Sequence, residues 1–544
     1  MFEKFFLFSC SGYKVQIKLL ILPILFIMTS LWVRLQSGPN WLWFNLDPDY
    51  FYLLDSLNIL NLTTPGHVYH PGTTVQWLGA FILKLSNPLA SSELISEMVL
   101  VNPEKYLHLI SVIFIFLNGF ALWCVGIIGK KVFENFLAAG FLQLAPFVSM
   151  VVFKNSYHVK PESLLVFGTL MLIITALISL KSGLSGRRNG FLSIAFGGVA
   201  GFGIATKITA LPIFLLPIFI FGQGGGISGW GRDAFIYCLS TLFAIVIFTL
   251  PAIQAYDIFF SWMATVSQGP GAYGGGNPED AMSLGGYFAN VFKLFKRPAF
   301  HVVFILAIVI LVIAVWRRLK SGGSLCPEVR LLAGILISQL FHVMLIATQP
   351  NATYLIPSFI LIPLAFVLTW RLGQKLFSKN LEKFVVVLFT ALFIAQLIAV
   401  FRLSNEQAKK SQEAETVLMS DFKSCARVYS YSASSRSYAL MLADFVTGGR
   451  MVEKLNAIGP KNDFWFEHWW DQSRIVFRDW NGPLNIEKVL SNYPCLVIRA
   501  SHWYVLERLL PKISSKINFD KICTVGEETL AVRGIDCYGR QKKP

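Results

Sequence analysis

Residues 300–316, FHVVFILAIVILVIAVW, contain no lysine, arginine, aspartate or glutamate, and three basic residues, Arg317, Arg318 and Lys320, follow within four positions. A helix of about 18 to 22 apolar residues spans the ~30 Å hydrocarbon layer of a membrane. The whole chain has the same character, since 54% of its 544 residues are hydrophobic and only 14% are charged. Most of the protein is therefore predicted to lie in a membrane.

Similar apolar runs recur on both sides of this segment, from Lys18 to Phe401, with short polar breaks between them. The pattern predicts an α-helical polytopic membrane protein with about eleven transmembrane helices. The predicted spans are 18–34, 107–128, 133–153, 162–180, 190–206, 208–222, 234–254, 300–316, 331–348, 353–370 and 384–401.

The distribution of basic residues orients these spans. If the N-terminus is cytoplasmic, alternate loops carry most of the short-range positive charge, as the positive-inside rule requires. An odd number of spans then places the C-terminus outside. The net charge of +16 is explained by these residues beside anionic lipid, and we expect no nucleic-acid partner. The residues are Lys130, Lys131, Lys181, Arg187, Arg188, Arg232, Arg317, Arg318, Lys320, Arg371 and Lys375.

The composition divides the chain near residue 401. Residues 1–401 are predicted to form the transmembrane domain, with a first external loop at 35–105 that contains short helices. Segment 73–85 is too short to span and is expected to be a re-entrant or interfacial helix. A second external loop, 255–298, contains QGPGAYGGGNPED, which is either a lid or a linker.

Residues 402–544 are predicted to form a soluble α/β domain on the extracytoplasmic side. The stretches ARVYSY and PCLVIRAS indicate buried strands, and SYALMLADFV indicates a helix. The aromatic stretch NDFWFEHWWDQSRIVFRDW either packs on the membrane surface or stacks on a sugar ring.

Four of the eight cysteines fall in this domain. In an oxidising compartment an even number permits two disulfides. We favour Cys425–Cys495, on neighbouring strands, and Cys523–Cys537, across a hairpin. Four buried free thiols are the alternative, and no cysteine spacing suggests zinc.

The first external loop begins with NLDPDYFYLLDSLNIL, residues 45–60, which has three carboxylates. Asp47 before Pro48 is typical of a helix start, where the aspartate caps free N–H groups. Asp49 shares a helix face with apolar residues, so a charge on the packed face needs a partner or a purpose. The alternative is a carboxylate favoured only by the helix dipole. Asp55 lies off that face and is expected to be solvated.

Further polar residues follow at the ends of predicted spans. The turn GHVYHPGTT carries His67 and His70, which either bind phosphate or a metal or are ordinary surface residues. Lys160 and Glu162, in YHVKPESLL, lie at the mouth of the fourth span, where ionisable groups usually mark a site or a snorkelling end. Lys207, in GIATKITALP, lies in a short break and is either functional or a lipid anchor.

The order of these motifs, DPDYFYLL, YHPGTT, VKPESLLVFGTL, GIATKITALPIFLLP and TYLIPSFILIPLAF, resembles that of the GT-C glycosyltransferases. In particular it is similar to the polyprenyl-phosphate-sugar-dependent branch that includes protein O-mannosyltransferases and aminoarabinose transferases. The resemblance covers residues 15–400 approximately. It implies transfer of a sugar from a polyprenyl-phosphate donor to an acceptor hydroxyl on the extracytoplasmic face, with inversion.

By position, the resemblance assigns the catalytic acidic residue of the family to Asp49, in the role of general base, with Asp47 as the second candidate. The sequence departs from the family by lacking an arginine next to Tyr354 and by having DPD in place of an Asp-Glu doublet. A departing phosphate is stabilised by positive charge, and the acceptor hydroxyl benefits from a carboxylate base. The implied donor-phosphate residues are His70, Lys160, Lys207 and Tyr354, and the supporting residues are Tyr52 and Glu162.

The identity of any cofactor stays open at this stage. The two aspartates of DPD offer oxygen ligands to Mg²⁺ or Mn²⁺, whereas a metal-free reaction is the other reading. The resemblance favours a bacterial inner membrane, and the acceptor is a lipid, a polysaccharide or a protein.

Two other functions remain as alternatives. One is a polytopic transporter or flippase, which is disfavoured because the sequence shows no pair of interrupted spans in corresponding halves. The other is a polysaccharide polymerase or ligase of envelope glycan assembly, for which basic residues rather than an acidic helix start would dominate the first loop.

Overall fold

The computed structural model describes residues 13–182, 187–221, 226–268, 283–376, 380–417, 422–430, 434–467, 475–514 and 518–537. Within these ranges, nine helical segments are long and apolar enough to cross a membrane. The chain is a multi-pass membrane protein. The spanning segments are Val15–Gln36, Pro103–Phe133, Pro161–Lys181, Asn189–Thr206, Gly226–Val266, Pro298–Lys320, Pro327–Ile346, Ala352–Leu376 and Val386–Glu415.

The helices before the C-terminal domain follow in chain order. They are α1 (Tyr13–Lys18), α2 (Ile21–Gln36), α3 (Leu46–Leu60), α4 (Thr73–Ser86), α5 (Ser92–Val101), α6 (Pro103–Phe133), α7 (Phe136–Gln143), α8 (Met150–Ser156), α9 (Pro161–Ser182), α10 (Arg187–Thr206), α11 (Gly226–Thr249), α12 (Tyr256–Gln268), α13 (Leu284–Phe295), α14 (Pro298–Lys320), α15 (Pro327–Ile346), α16 (Ile356–Leu376) and α17 (Asn380–Glu415).

Two of the predicted spans are interrupted segments rather than continuous α-helices. The first, 133–153, consists of α7, a 3₁₀ turn at Ala145–Val148 and the start of α8, and it breaks where Pro146 removes a backbone donor. The second, 208–222, is a 3₁₀ helix at Ile208–Phe219 that contains Pro212 and Pro217. The prediction of a continuous spanning helix was therefore wrong for both segments.

The first long loop contains the short helices that the sequence predicts. α3 begins at Leu46 with Asn45 at the N-cap position, so the expectation that Asp47 is the cap was wrong: its position lies within the helix. α4 covers the apolar segment 73–85, and α5 is capped by the side chain of Ser91, which accepts from Leu94 N. The glycine-rich part of the second loop lies outside the described residues.

The C-terminal domain contains a seven-stranded mixed sheet, in agreement with the α/β prediction. The strand order is β4-β3-β2-β1-β5-β7-β6, with parallel pairing of β1 to β2 and β5. The elements are β1 (Ala426–Tyr429), α18 (Arg436–Val446), α19 (Val452–Ile458), β2 (Asp463–Glu467), β3 (Val476–Asp479), β4 (Gly482–Pro483), α20 (Ile486–Ser491), β5 (Leu496–Ala500), α21 (Trp503–Ser514), β6 (Lys521–Val525) and β7 (Glu528–Arg533).

Covalent and ionic links tie the sheet together. Disulfides join Cys425 to Cys495, at the starts of β1 and β5, and Cys523 to Cys537. These are the pairs that the sequence analysis favours. Arg499 is 1% exposed and pairs with Glu528 at 2.9 Å. Its guanidinium also donates to the carbonyl of Val417 at 2.6 Å, so the centre of the sheet is bonded to the segment that follows α17.

The chain forms two compact units. The first consists of residues 1–33, 68–77 and 111–401, and its apolar core is built largely from the spanning helices. α16 is buried over most of its length within this core. The second consists of residues 34–67, 78–110 and 402–544. Most of the first long loop thus belongs to the same unit as the C-terminal sheet.

Candidate functional site

In the first unit, Lys207 lies between α10 and the 3₁₀ helix that follows and is 3% exposed. Its ammonium forms an ion pair with Glu162, in the first turn of α9, with an Nζ to Oε1 distance of 2.5 Å. The same nitrogen lies 4.2 Å from the centroid of the Tyr354 ring, an arrangement typical of a cation–π contact. Lys207 is therefore a buried, paired residue and not a lipid-surface anchor.

The turn that begins at His70 lies against this lysine. The carbonyl of His70 accepts a hydrogen bond from Ile208 N at 2.8 Å, and Pro71 forms an isolated bridge with Lys207. The His70 ring meets the edge of Trp262 at a centroid distance of 5.4 Å. The backbone contacts align residues 70–71 with 207–208.

A second hydrogen bond, close to these backbone contacts, joins the same two segments. Thr74, at the start of α4, donates its hydroxyl to that of Thr206 at 2.8 Å. Both threonines are buried. No local pattern predicted this link, because the two motifs are 132 positions apart.

Lys160 lies just before α9 and is half-buried. Its carbonyl accepts from the Ser163 hydroxyl at 2.7 Å, which fixes the backbone at the helix start. Its ammonium lies close enough to Glu162 to attract that carboxylate. Two ammonium groups therefore act on one carboxylate, and positive charge is in excess.

We call His70, Lys160, Glu162, Lys207 and Tyr354 the lysine cluster. Four of its members lie at or just before the N-terminal ends of α4, α9 and α16. The fifth, Lys207, directly follows the C-terminal end of α10. A partly buried group of cations with an incomplete counter-charge favours the binding of an anion, and phosphate oxygens accept charge-assisted hydrogen bonds from lysine.

The second unit contains the acidic helix start. Asp49 is fully buried in the first turn of α3. Its negative charge acts on its neighbour Tyr50 and on Glu104. The Tyr50 hydroxyl donates to Glu104 Oε1 at 2.9 Å, and burial, followed by the charge of Glu104, raises the pKa of Tyr50 well above its usual value. The side chain of Asp47 lies outside the described residues.

Asp55 was expected to be solvated, and this was wrong because it is fully buried. Its two oxygens accept hydrogen bonds from Gly66 N at 2.8 Å and His67 N at 2.9 Å, and Oδ1 also accepts from Asn58 at 3.0 Å. Burial raises the pKa of Asp55 to about 7, against the opposing effect of these bonds. α3 is buried on all sides between residues 50 and 58, so an argument from one helix face does not apply to it.

His67 is a buried structural residue rather than a surface one. Its ring lies edge-on to Phe51 and to Tyr52, with centroid distances of 5.3 Å in both cases. Burial lowers the pKa of His67 to about 4, so the ring is neutral at neutral pH. Tyr52, the predicted supporting residue, is fully buried in α3.

Within the described part of the chain, no group of three or more histidine, cysteine, aspartate or glutamate side chains is arranged to hold a metal ion. The carboxylate of Asp49 is the described member of the DPD pair.

Comparison with known proteins gives likeness at the level of structure. No protein-family model matches the sequence, and no curated protein matches it significantly. The chain is similar to the crystal structure of ArnT from Cupriavidus metallidurans bound to undecaprenyl phosphate, with a TM-score of 0.46 and 10% identity, over 94% of this chain and 97% of that chain.

A second likeness is to the Archaeoglobus fulgidus oligosaccharyltransferase in complex with Zn and sulfate. Its TM-score is 0.42 at 12% identity, and it covers 92% of this chain and 81% of that chain. Both structures are GT-C glycosyltransferases, the class that the sequence resembles.

Proposed function

We propose that the protein is a membrane glycosyltransferase that moves a sugar from a polyprenyl-phosphate donor to an acceptor hydroxyl. The observation that carries this proposal is the lysine cluster. Residues that the motif order assigns to the donor phosphate, His70, Lys207 and Tyr354, come together with Glu162 although they are widely separated in sequence. Motifs that matched by chance would have no reason to converge.

The cluster is suited to the leaving group of this reaction. The bond that breaks joins the anomeric carbon of the sugar to a phosphate oxygen, and the electron pair leaves with the phosphate. Because the polyprenyl phosphate departs as an anion, fixed positive charge lowers the barrier. Lys160 is the cation best placed for this role because the carboxylate of Glu162 already engages Lys207 directly.

The carboxylate of Asp49 is proposed as the general base. The acceptor oxygen forms the new bond to the anomeric carbon while its proton passes to Asp49, and a single displacement inverts the configuration. The support is chemical: Asp49 is a buried carboxylate in the motif that resembles the acidic motif of the family.

We further propose that the reaction occurs on the extracytoplasmic face of a bacterial inner membrane, with a cytoplasmic N-terminus. The basic residues of alternate loops support this orientation. The acceptor is a lipid, a polysaccharide or a protein. No step of the proposed reaction passes through a metal ion.

A flippase for lipid-linked sugars is the second candidate, because the interrupted segments at 136–156 and 208–219 are a feature of transporters. The two functions differ in their product. A flippase leaves the sugar on its lipid, whereas a transferase releases the polyprenyl phosphate.

The binding role of the lysine cluster is tested by Lys160→Ala in purified protein with undecaprenyl phosphate as the probe. Loss of one charge-assisted contact is expected to weaken affinity about 10-fold. Lys320→Ala, which removes an exposed lysine at the end of α14, is the control and should bind as the unaltered protein does. Equal affinity of the Lys160→Ala variant would contradict the assignment.

A further inference from the structure

The C-terminal domain contacts the chain on the entry side of α3, the helix that carries Asp49. Trp43 N donates to the Ser434 hydroxyl at 3.1 Å, and its ring lies 4.8 Å from that of His502. The ammonium of Lys410, on α17, lies 5.2 Å from the centroid of the same indole ring. Ser434 in turn donates to Glu528, which anchors it to β7. The residues that lead into α3 are thus bonded to the sheet.

The same domain contacts the chain on the exit side of α3. Gly66 packs so closely on the end of α18 that a Cβ added there would lie 2.4 Å from the carbonyl carbon of Thr447. Arg450 donates to the carbonyl of Thr64. From within α3, Asn58 donates to the carbonyl of Thr447 at 3.3 Å. We call Thr64–Gly66 with Thr447–Arg450 the exit contact.

Asp55 connects the exit contact to the helix itself. Its carboxylate accepts from the backbone N–H groups of Gly66 and His67, so the turn cannot move without breaking bonds to α3. α18 also packs along α3, and the charge of Arg436, in its first turn, acts on Tyr50, the residue next to Asp49. All of these residues belong to the second unit.

We propose that the C-terminal α/β domain is a positioning device for α3: by holding the chain at Trp43 and at the exit contact, it fixes where Asp49 presents its carboxylate. The inference rests on the proposed function for its catalytic consequence, since it assumes that Asp49 is the base. The holding residues touch neither donor nor acceptor and act through α3. A displacement of about 1 Å in a catalytic group is enough to cost roughly 100-fold in rate.

Two substitutions in the full-length protein test this positioning role from opposite ends of the helix. Gly66→Ala places a methyl group against the backbone of Thr447, and Trp43→Ala removes the ring that contacts His502 and Lys410. Matched controls are Gly285→Ala, where a Cβ meets no atom within 4 Å, and Trp503→Ala, at a tryptophan that is 45% exposed.

The direct readout is hydrogen–deuterium exchange of the peptide 46–60 in detergent. Each test variant is expected to accelerate this exchange about 10-fold, and the controls should leave it unchanged. The affinity of each test variant for undecaprenyl phosphate should stay within about twofold of that of the unaltered protein. The amount of modified envelope glycan, relative to the amount of variant in the membrane, should fall about 10-fold. A merely structural defect would lower binding and product together.

The inference is overturned if neither test variant changes the exchange of 46–60. The inference is also overturned if Gly66→Ala and Trp43→Ala accelerate the exchange but leave the product level normal, while Asp49→Asn abolishes the product. If instead Asp49→Asn leaves the product unchanged, the proposed function fails, and the exchange measurement alone still decides whether the domain holds α3.

Discussion

At the scale of single residues, burial sets the charge state of the groups around α3. Asp55 and His67 are bonded to each other through a carboxylate and a backbone N–H, and burial moves the pKa of each towards the neutral form. The folded state therefore binds a proton more readily at Asp55 and less readily at His67 than the unfolded chain does. As the pH falls below 6.5, the first effect stabilises the fold and the second destabilises it.

Replacing the histidine separates these two effects. His67→Phe keeps a ring against Phe51 and Tyr52 but removes the group whose pKa is lowered to about 4. Between pH 6.5 and 5, the variant is expected to gain on the order of 2 kcal/mol relative to the unaltered protein. Thermal unfolding in detergent at both pH values checks this. A pH-independent difference in melting temperature between the two proteins would contradict it.

Single residues also show the limit of a sequence argument. Lys207 and Glu162 were recognisable as ionisable groups at span ends, because charge at that depth is costly. Their mutual pairing was not, since a partner 45 positions away leaves no local pattern. The burial of Asp55 was missed for the same reason: two of its partners, Gly66 and His67, lie in a turn outside α3, which the helical periodicity does not include.

At the scale of elements, the length of the apolar runs and the local residue pattern were sufficient to predict the continuous helices and the strands. β1, β5 and α18 lie where alternation and apolar runs placed them. The two interrupted segments were read as spans because their composition is apolar throughout. The interruptions could have been predicted from Pro146, Pro212 and Pro217, because proline in a helix interior removes a hydrogen bond.

The link between β1 and β5 is expected to contribute strongly to the C-terminal sheet. The Cys425–Cys495 bond closes a separation of 70 residues, and a disulfide of that span is worth roughly 2–5 kcal/mol. Cys425→Ser combined with Cys495→Ser should lower the resistance of this domain to proteolysis, measured by the rate of cleavage within residues 422–537. Cys326→Ser, at a free cysteine, is the control. Equal cleavage rates in all three proteins would refute the expectation.

At the scale of the whole molecule, the sequence predicted a membrane domain followed by a separate soluble domain, and contacts divide the chain differently. Residues 34–67 and 78–110 group with the C-terminal sheet, while 68–77 groups with the spanning helices. The change of composition near residue 401 predicts where apolar spans give way to a more polar domain, but it carries no information on which loop packs against that domain. Long-range contacts such as that between Gly66 and Thr447 decide this.

The proposed reaction depends on the carboxylate of Asp49 as the group that activates the acceptor. Asp49→Asn keeps the size of the side chain and removes the base. Mass spectrometry of envelope glycans is the measurement, in cells that contain either the unaltered protein, the variant at an equal membrane level, or neither. We predict that the variant gives the same glycans as cells without the protein, while the purified variant still binds undecaprenyl phosphate. Glycans identical to those made with the unaltered protein would contradict the account.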